Sequence, residues 1–274
     1  MKRGRTDMHN HNALDMAIAA RDARIVDTVR AAIRHEDVLL AFQPVVQAQR
    51  PGSIAFHEGL VRVLDETGRV VPAAEFIVQV EELEEGRILD CLALEMGLDE
   101  LAQEPGLRLA INMSARSIGY PRWRRSLTDT ICGNPTVAER LILEISEASA
   151  MLVPELVTSF MAEMQRQGVS FAMDNFGAGY TALRHLRTFS FDVLKIAAPF
   201  IRGIATDPDN QVLTRAILAM AEQFDMFTVA ESVETAADAQ VLTEMGVDCL
   251  QGYFFGAPTV RPAWRDTPAQ RAEA

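Results

Sequence analysis

Val169-Ser170-Phe171-Ala172-Met173-Asp174-Asn175-Phe176-Gly177-Ala178-Gly179-Tyr180 is a short apolar run that ends in an acid and an amide, then breaks into a Gly-x-Gly loop. It is too short for a helix and is bounded by glycine, so it reads as a buried strand delivering polar side chains to the mouth of a site. The same pattern recurs outward from it. Strands are expected over Leu39–Val46, Ile54–Val63, Leu107–Met113, Leu141–Ile145, Val169–Met173, Val193–Ile196, Phe227–Val229 and Val247–Leu250. Helical patterns fall over Leu14–His35, Ala73–Glu104 (two helices), Arg122–Cys132, Pro154–Gln167, Ala178–Leu186, Asn210–Phe224 and Thr235–Met245. Eight strands with intervening helices point to an α/β fold, a closed (β/α)8 TIM-like barrel, for which about 250 residues is typical. An open doubly wound sheet would carry a GxGxxG turn after an early strand; the nearest match, Gly177 to Ala182, follows the fifth. The connection over residues 47–53 is too short for a crossover helix. The first strand is therefore expected to pair antiparallel with the second.

Composition narrows the function. The chain is 49% hydrophobic and 23% charged, as soluble globular proteins are. A formal net charge of −12 argues against a nucleic-acid polymer as partner, because phosphates need basic patches. A small anionic ligand remains compatible if metal ions or a local arginine supply positive charge. Cys91, Cys132 and Cys249 are scattered without CxxC spacing, which predicts reduced thiols in a cytoplasmic protein. No apolar stretch reaches the roughly 18–20 residues of a membrane span, and the basic N-terminus lacks a signal-peptide core. The expected organisation is an N-terminal tail and extra helix over 1–25, the barrel over 26–260 and a C-terminal tail over 261–274. His9-Asn10-His11 reads as solvated tail, and His35-Glu36-Asp37 as a helix C-terminal cap.

In such a barrel, chemistry sits at the C-terminal ends of the strands. Those positions hold Glu58 and Arg62, Asn112, Glu144, Asp174 with Asn175, Lys195, Glu231 and Gln251. One acid at a strand end is most often a helix N-cap or a solvated loop residue. Seven consecutive strands ending in an acid, amide or lysine are hard to obtain from capping alone. Glu58, Asn112, Glu144, Asp174 and Glu231 form a hard-oxygen donor set, suited to Mg²⁺, Mn²⁺ or Ca²⁺ rather than zinc. Carboxylates meeting in one mouth repel each other unless cations bind there. With Lys195 to orient water and Arg62 to pair with a phosphate oxygen, the set suits attack of water on a phosphodiester.

Taken together, these segments resemble the EAL domain of bacterial cyclic di-GMP phosphodiesterases over roughly residues 26–258. Gln43-Pro44-Val45-Val46 is similar to the family's opening strand, and Glu58-Gly59-Leu60-Val61-Arg62 to its Glu-Ala-Leu motif. Asn112-Met113-Ser114, Glu144-Ile145-Ser146-Glu147, Asp174 through Tyr180, Leu194-Lys195-Ile196-Ala197, Glu231-Ser232-Val233-Glu234 and Gln251-Gly252-Tyr253 follow in the family's order. The resemblance implies that Glu58, Asn112, Glu144 and Asp174 hold one cation, with Glu231 near the metals and residue 175 serving a second. It implies that Lys195 positions the nucleophilic water, with Gln251 and Glu231 in the catalytic set. Arg62, Gln43 and Gln251 would meet the ligand, and Glu147 and Glu234 would brace the glycine-rich loop. The implied cofactor is Mg²⁺ or Mn²⁺, with Ca²⁺ inhibitory or structural. The implied partners are cyclic di-GMP, a second copy of the chain and a regulatory protein, with no membrane.

Two departures bear on catalysis. Asn175 and Ala197 stand where the family has aspartates. Each lowers the negative charge that draws in a second cation. Loss of a group that supports a metal ligand already costs roughly 10–100-fold in affinity or activity. Gly59 (for Ala), Val63 (for an aromatic) and Ser232 (for Gly) are milder and are expected to reshape the guanine pocket. The reading is a phosphodiesterase of reduced activity that makes pGpG by metal-activated water. The alternative is a non-catalytic cyclic di-GMP receptor that signals through a partner or a dimer change. A pure interaction domain would be expected to lose more of the site residues.

Overall fold

The computed structural model describes residues 13–179 and 186–265, with side chains from Met16 onward. Nine strands appear among them: β1 (Val38–Gln47), β2 (Arg50–Leu64), β3 (Val70–Pro72), β4 (Leu109–Asn112), β5 (Leu141–Ser146), β6 (Ser170–Phe176), β7 (Val193–Ile196), β8 (Phe227–Ala230) and β9 (Cys249–Leu250). The helices are α1 (Ala13–His35), α2 (Ile77–Val80), α3 (Glu84–Gln103), α4 (Pro121–Gly133), α5 (Pro135–Ala138) and α6 (Glu147–Ala150). They continue with α7 (Pro154–Gln165), α8 (Ala198–Ile201), α9 (Pro208–Gln223) and α10 (Ala236–Glu244).

Eight strands close into a barrel in the order β1-β9-β8-β7-β6-β5-β4-β2, and β1 pairs back onto β2. The seven strands from β2 through β9, apart from β3, run parallel to their neighbours. As expected, β1 is antiparallel, to β2 through Val38↔Val63 and to β9 through Val46↔Leu250. The hairpin turns through Ala48–Gln49, so no helix covers that connection. β3 is a three-residue addition to the free end of β2. It escaped a reading based on apolar runs because only Val71 of it is buried.

Outward-facing strand residues such as Leu109, Ile111, Leu143, Phe171 and Leu194 pack on Leu94, Leu98, Trp123, Phe160 and Met161 of the surrounding helices. Inside the barrel, Val45, Phe56, Ala110, Ile142, Ala172, Val193 and Val229 form a separate apolar plug. α1 closes a third cluster with Val29 and Ala32 against Val63, Val71, Phe76 and Leu89. It ends at His35 in a Schellman cap: Glu36 takes φ 62°, and the Asp37 N–H donates to Ala32 O at 2.8 Å. α1 runs unbroken through residue 25, so the family boundary near residue 26 falls inside a helix.

The remaining differences are local. The expected pair of helices over Ala73–Glu104 is a 3₁₀ turn, α2 and α3. The last strand shrinks to Cys249–Leu250. The helix expected over Ala178–Leu186 lies mostly outside the described residues, and its described ends are bends and turns. The tail after residue 260 is docked as far as Arg265. Trp264 stacks edge-on against Phe42 and His57, and its indole N–H donates to buried Glu100 at 2.8 Å. This segment covers the antiparallel seam, where Phe42 and Thr259 exchange two backbone hydrogen bonds. The His9-Asn10-His11 motif lies outside the described residues. Among those residues no helix is long and apolar enough to cross a membrane.

Candidate functional site

A strand's side chains alternate between faces, so inward positions recur every second residue. One step beyond the apolar plug, each strand presents a polar group: Phe56 is followed by Glu58, Ala110 by Asn112, Ile142 by Glu144, and Ala172 by Asp174. Val193 is followed by Lys195, Val229 by Glu231 and Cys249 by Gln251. On antiparallel β1 the order reverses, from Val45 back to Gln43, and Gln43 lies opposite Glu58. Strand tilt staggers neighbours by one such step, as in Glu58↔Ala110, Glu144↔Ala172 and Lys195↔Val229. Asn112 and Glu144 pair directly, as Gln43 and Glu58 do, and the step at the staggered seams brings the polar groups together.

They converge on Lys195, which is fully buried. Its Nζ lies 2.7 Å from Glu144 Oε2, 2.9 Å from Glu231 Oε1, 3.0 Å from Glu58 Oε2 and 3.3 Å from Asp174 Oδ1. Asn112 donates to Glu58 Oε1 at 2.8 Å and Gln251 to Glu58 Oε2 at 2.6 Å. Gln251 also donates to Gln43 Oε1 at 3.2 Å, and Gln43 to Gly256 O at 3.0 Å. Burial raises the Glu58 carboxyl, but the Lys195 charge and the two amide donors outweigh it and hold the group below its ordinary range. Burial beside Glu58 keeps Glu144 well above its ordinary range, and burial pushes Glu231 up to about 8 despite Lys195. Burial opposes the Lys195 charge, but its four acids overcome this and raise its pKa well above the ordinary value.

Other expected residues sit around this knot. Arg62 is half-buried, and its guanidinium donates to Val61 O at 2.9 Å. Burial lowers its pKa. Asn175 is exposed, adopts φ 56° and donates to Asp174 Oδ2 at 2.7 Å. Glu147 is buried and accepts from the Gly177 N–H at 3.1 Å, against the loop that follows β6. Glu234 is exposed and pairs with Arg202 at 3.3 Å. Ala197 is fully buried.

Three departures look different in the structure. A Cβ at Gly59 would lie 2.7 Å from Ile111 Cδ1 and 3.0 Å from Leu40 Cδ2. The position thus faces outward, where the Ile111 side chain also fills the space over Gly97. Val63 is buried beneath α1. Neither residue borders the polar knot, so the expectation that they reshape a ligand pocket is corrected. Alternation along β2 sends them to the opposite face from Glu58. Ser232 sits at φ 57°, a left-handed conformation that glycine adopts more freely.

Sequence reasoning missed the supports. Asp90 of α3 accepts from the Ser114 N–H at 2.9 Å and the Ser117 hydroxyl at 2.5 Å, fastening the loop after β4. Burial pushes it up to about 6 despite those bonds. Phe200 lies where a Cβ on Gly177 would fall, 2.6 Å from Cε2. These contacts span 23 to 27 residues and leave no local spacing signal. The cleft of about 640 Å³ lined by Arg215, Phe227, Met245 and Asp248 lies at the other end of the barrel, away from this chemistry.

The residues fit a hard divalent cation by donor chemistry: Glu144 Oε1 and Gln251 Oε1 are buried without a hydrogen bond, amid carboxylate and amide oxygens. Among the described residues, no three acidic, imidazole or thiol side chains stand ready as a ligand set. The acids are turned to Lys195 instead.

Residues 26–258 match the EAL domain. The chain is 31% identical over 238 residues to the signaling protein YkoW of Bacillus subtilis, covering 84% of this chain and 29% of YkoW. It is 29% identical over 253 residues to the bifunctional diguanylate cyclase/cyclic di-GMP phosphodiesterase MucR of Pseudomonas aeruginosa, covering 88% of this chain and 36% of MucR. The chain thus spans about a third of the length of these relatives. Among solved structures, the PaMucR phosphodiesterase in complex with c-di-GMP superposes with a TM-score of 0.75 at 27% identity, covering 88% of this chain and 99% of that one. The Xanthomonas citri FimX EAL domain shares the fold, with a TM-score of 0.78 at 22% identity over 92% of this chain and 99% of that one.

Proposed function

The chain belongs to the EAL domain family, and on that premise we propose that it is a cyclic di-GMP-specific phosphodiesterase domain that opens its substrate to linear pGpG with Mg²⁺ or Mn²⁺. The observation that carries this reading is the buried Lys195 ammonium, held within 3.3 Å of four carboxylates at the C-terminal ends of the strands. When bound, a divalent cation would polarise the scissile phosphodiester and make a bound water more acidic. Glu58, Asn112, Glu144, Asp174 and Glu231 are the residues that would hold it. Lys195 positions the attacking water. Gln251 orients Glu58 and, with Gln43, faces the ligand. Arg62 receives a phosphate oxygen. Water adds to phosphorus, one P–O3′ bond breaks and the proton ends on the leaving O3′.

The rate is reduced because Asn175 and Ala197 stand where the family has aspartates, and each removes negative charge that would draw in a second cation. Asn175→Asp with Ala197→Asp should raise the rate of pGpG formation by about tenfold or more. No gain from the double variant would remove this account of the departures. One observation favours a receptor as the second reading. The Asn175 amide already satisfies Asp174 Oδ2 at 2.7 Å, a task a second cation would otherwise perform. The two readings separate in one experiment: pGpG formation by purified protein in Mg²⁺ and then Mn²⁺, beside a cyclic di-GMP titration in Ca²⁺. Tight binding without turnover in either metal establishes the receptor and sinks the enzyme. The homodimer is proposed on the face carrying exposed Leu152, Val153 and Leu156, beside the start of α7. Light scattering of the Leu156→Arg variant checks it.

A further inference from the structure

The polar knot gathers four acids that a protein interior could not hold in ionised form without a cation. Burying ionised carboxylates without partners costs far more than folding can supply. Lys195 meets that need from inside the chain. Its ammonium is the group on which Glu58, Glu144, Asp174 and Glu231 all converge. The residue type is informative. The chain has 24 arginines but only two lysines, Lys2 and Lys195. A guanidinium is a planar fork, whereas an ammonium is a compact point charge that several acids can surround.

Most of the carboxylate oxygens are committed. One oxygen of each acid faces Nζ. The second oxygen of Glu58 accepts from Asn112, and that of Asp174 from Asn175. Glu144 Oε1 is buried and open. A dication entering this set would draw on oxygens that now hold the ammonium. We propose that Lys195 is the built-in counter-ion of the site, which holds the carboxylates together without metal and is displaced from some of them when a divalent cation binds. This rests on the cation-site reading above and adds to it a competition: the cation's affinity is set against Lys195, not against water alone.

Selective ¹⁵N-lysine labelling gives side-chain signals from two residues, Lys2 and Lys195. Titration with diamagnetic Mg²⁺ should move the Lys195 ammonium signal with the midpoint seen by calorimetry. The isosteric Lys195→Met variant removes the charge. Its Mn²⁺ affinity by calorimetry should tighten roughly tenfold or more, while Lys195→Arg, which keeps the charge, should not tighten. In EDTA, Lys195→Met should unfold at lower temperature than wild type, and Mn²⁺ should restore more of the loss than it adds to wild type. Folding of Lys195→Met only in Mn²⁺ has the same meaning. Unchanged or weaker Mn²⁺ binding by Lys195→Met overturns the proposal and leaves the cation site standing. So does failure to fold in either buffer, since a dication then cannot replace the ammonium. Absence of Mn²⁺ binding to the wild type instead overturns the cation-site reading itself.

Discussion

Two layers of the barrel interior lie one strand step apart and do opposite work. The lower layer, Val45, Phe56, Ala110, Ile142, Ala172, Val193 and Val229, is apolar and packed. The upper layer, Gln43, Glu58, Asn112, Glu144, Asp174, Lys195, Glu231 and Gln251, is a buried polar knot. The same strands build both, but the lower layer is closed to water while Asn112 and Glu231 of the upper layer are partly exposed. The lower layer stabilises the fold by transfer from water and by close packing. The upper layer is retained at a cost in stability, since replacing buried ion pairs with apolar groups is often neutral or stabilising. The contrast teaches that the plug is the platform that aims the acids, and the proposed function gives those acids a ligand to hold.

Substitutions in the two layers should therefore separate stability from chemistry. The largest effect is expected from Phe56→Ala, which leaves a cavity in the plug. It should lower the unfolding free energy by about 3–5 kcal/mol in denaturant titration. Cyclic di-GMP affinity of the folded fraction should stay within a factor of a few. A matching loss of affinity would mean that the plug also shapes the site. In the upper layer, Glu144→Gln should cut pGpG formation at least about 100-fold, with little loss of stability, because the amide still fills the space. Collapse of the unfolding transition would make Glu144 a structural residue.

pH tests the same contrast. Glu231 is pushed up to about 8 in the fold from an ordinary 4.5, and Glu144 moves in the same direction. Between those values the folded protein binds more protons than the unfolded chain, so stability falls as pH rises. Without metal, the melting temperature should fall progressively from pH 5 to pH 9. The slope should flatten in Glu231→Gln. A wild-type melting temperature that rises across this window would contradict the protonated acids. The smallest effect lies outside both layers. Gly59→Ala restores the family's residue but places a methyl 2.7 Å from Ile111 Cδ1. It should cost about 1 kcal/mol, and Ile111→Val should recover most of it. Unequal ligand affinity in Gly59→Ala would return that position to the site.

The legibility of this protein follows the same division. Each strand announced its polar residue because the pleat repeats every two residues and the acids interrupt apolar runs, as Ala172-Met173-Asp174 does. The antiparallel first strand was legible because residues 47–53 cannot hold a crossover. β3 was not, because Val70-Val71-Pro72 is only three residues long and ends in a proline. Glu147 against Gly177 and Asp90 against Ser114 involve side chains far apart in sequence, with no spacing rule to reveal them. The family's glycine at 232 is explained only by the backbone, which holds Ser232 at φ 57°.

The sequence by itself determined the barrel, the order of its strands and the residue types that enter its mouth, because strand alternation and turn chemistry are local. Only the tertiary structure decided that four acids share one ammonium, that Gly59 and Val63 face away from them, and that Trp264 seals the seam. Lys195 reaches Glu58 across 137 residues and Gln251 reaches it across 193. Contacts of that separation exist only once strand tilt and closure bring the layer together.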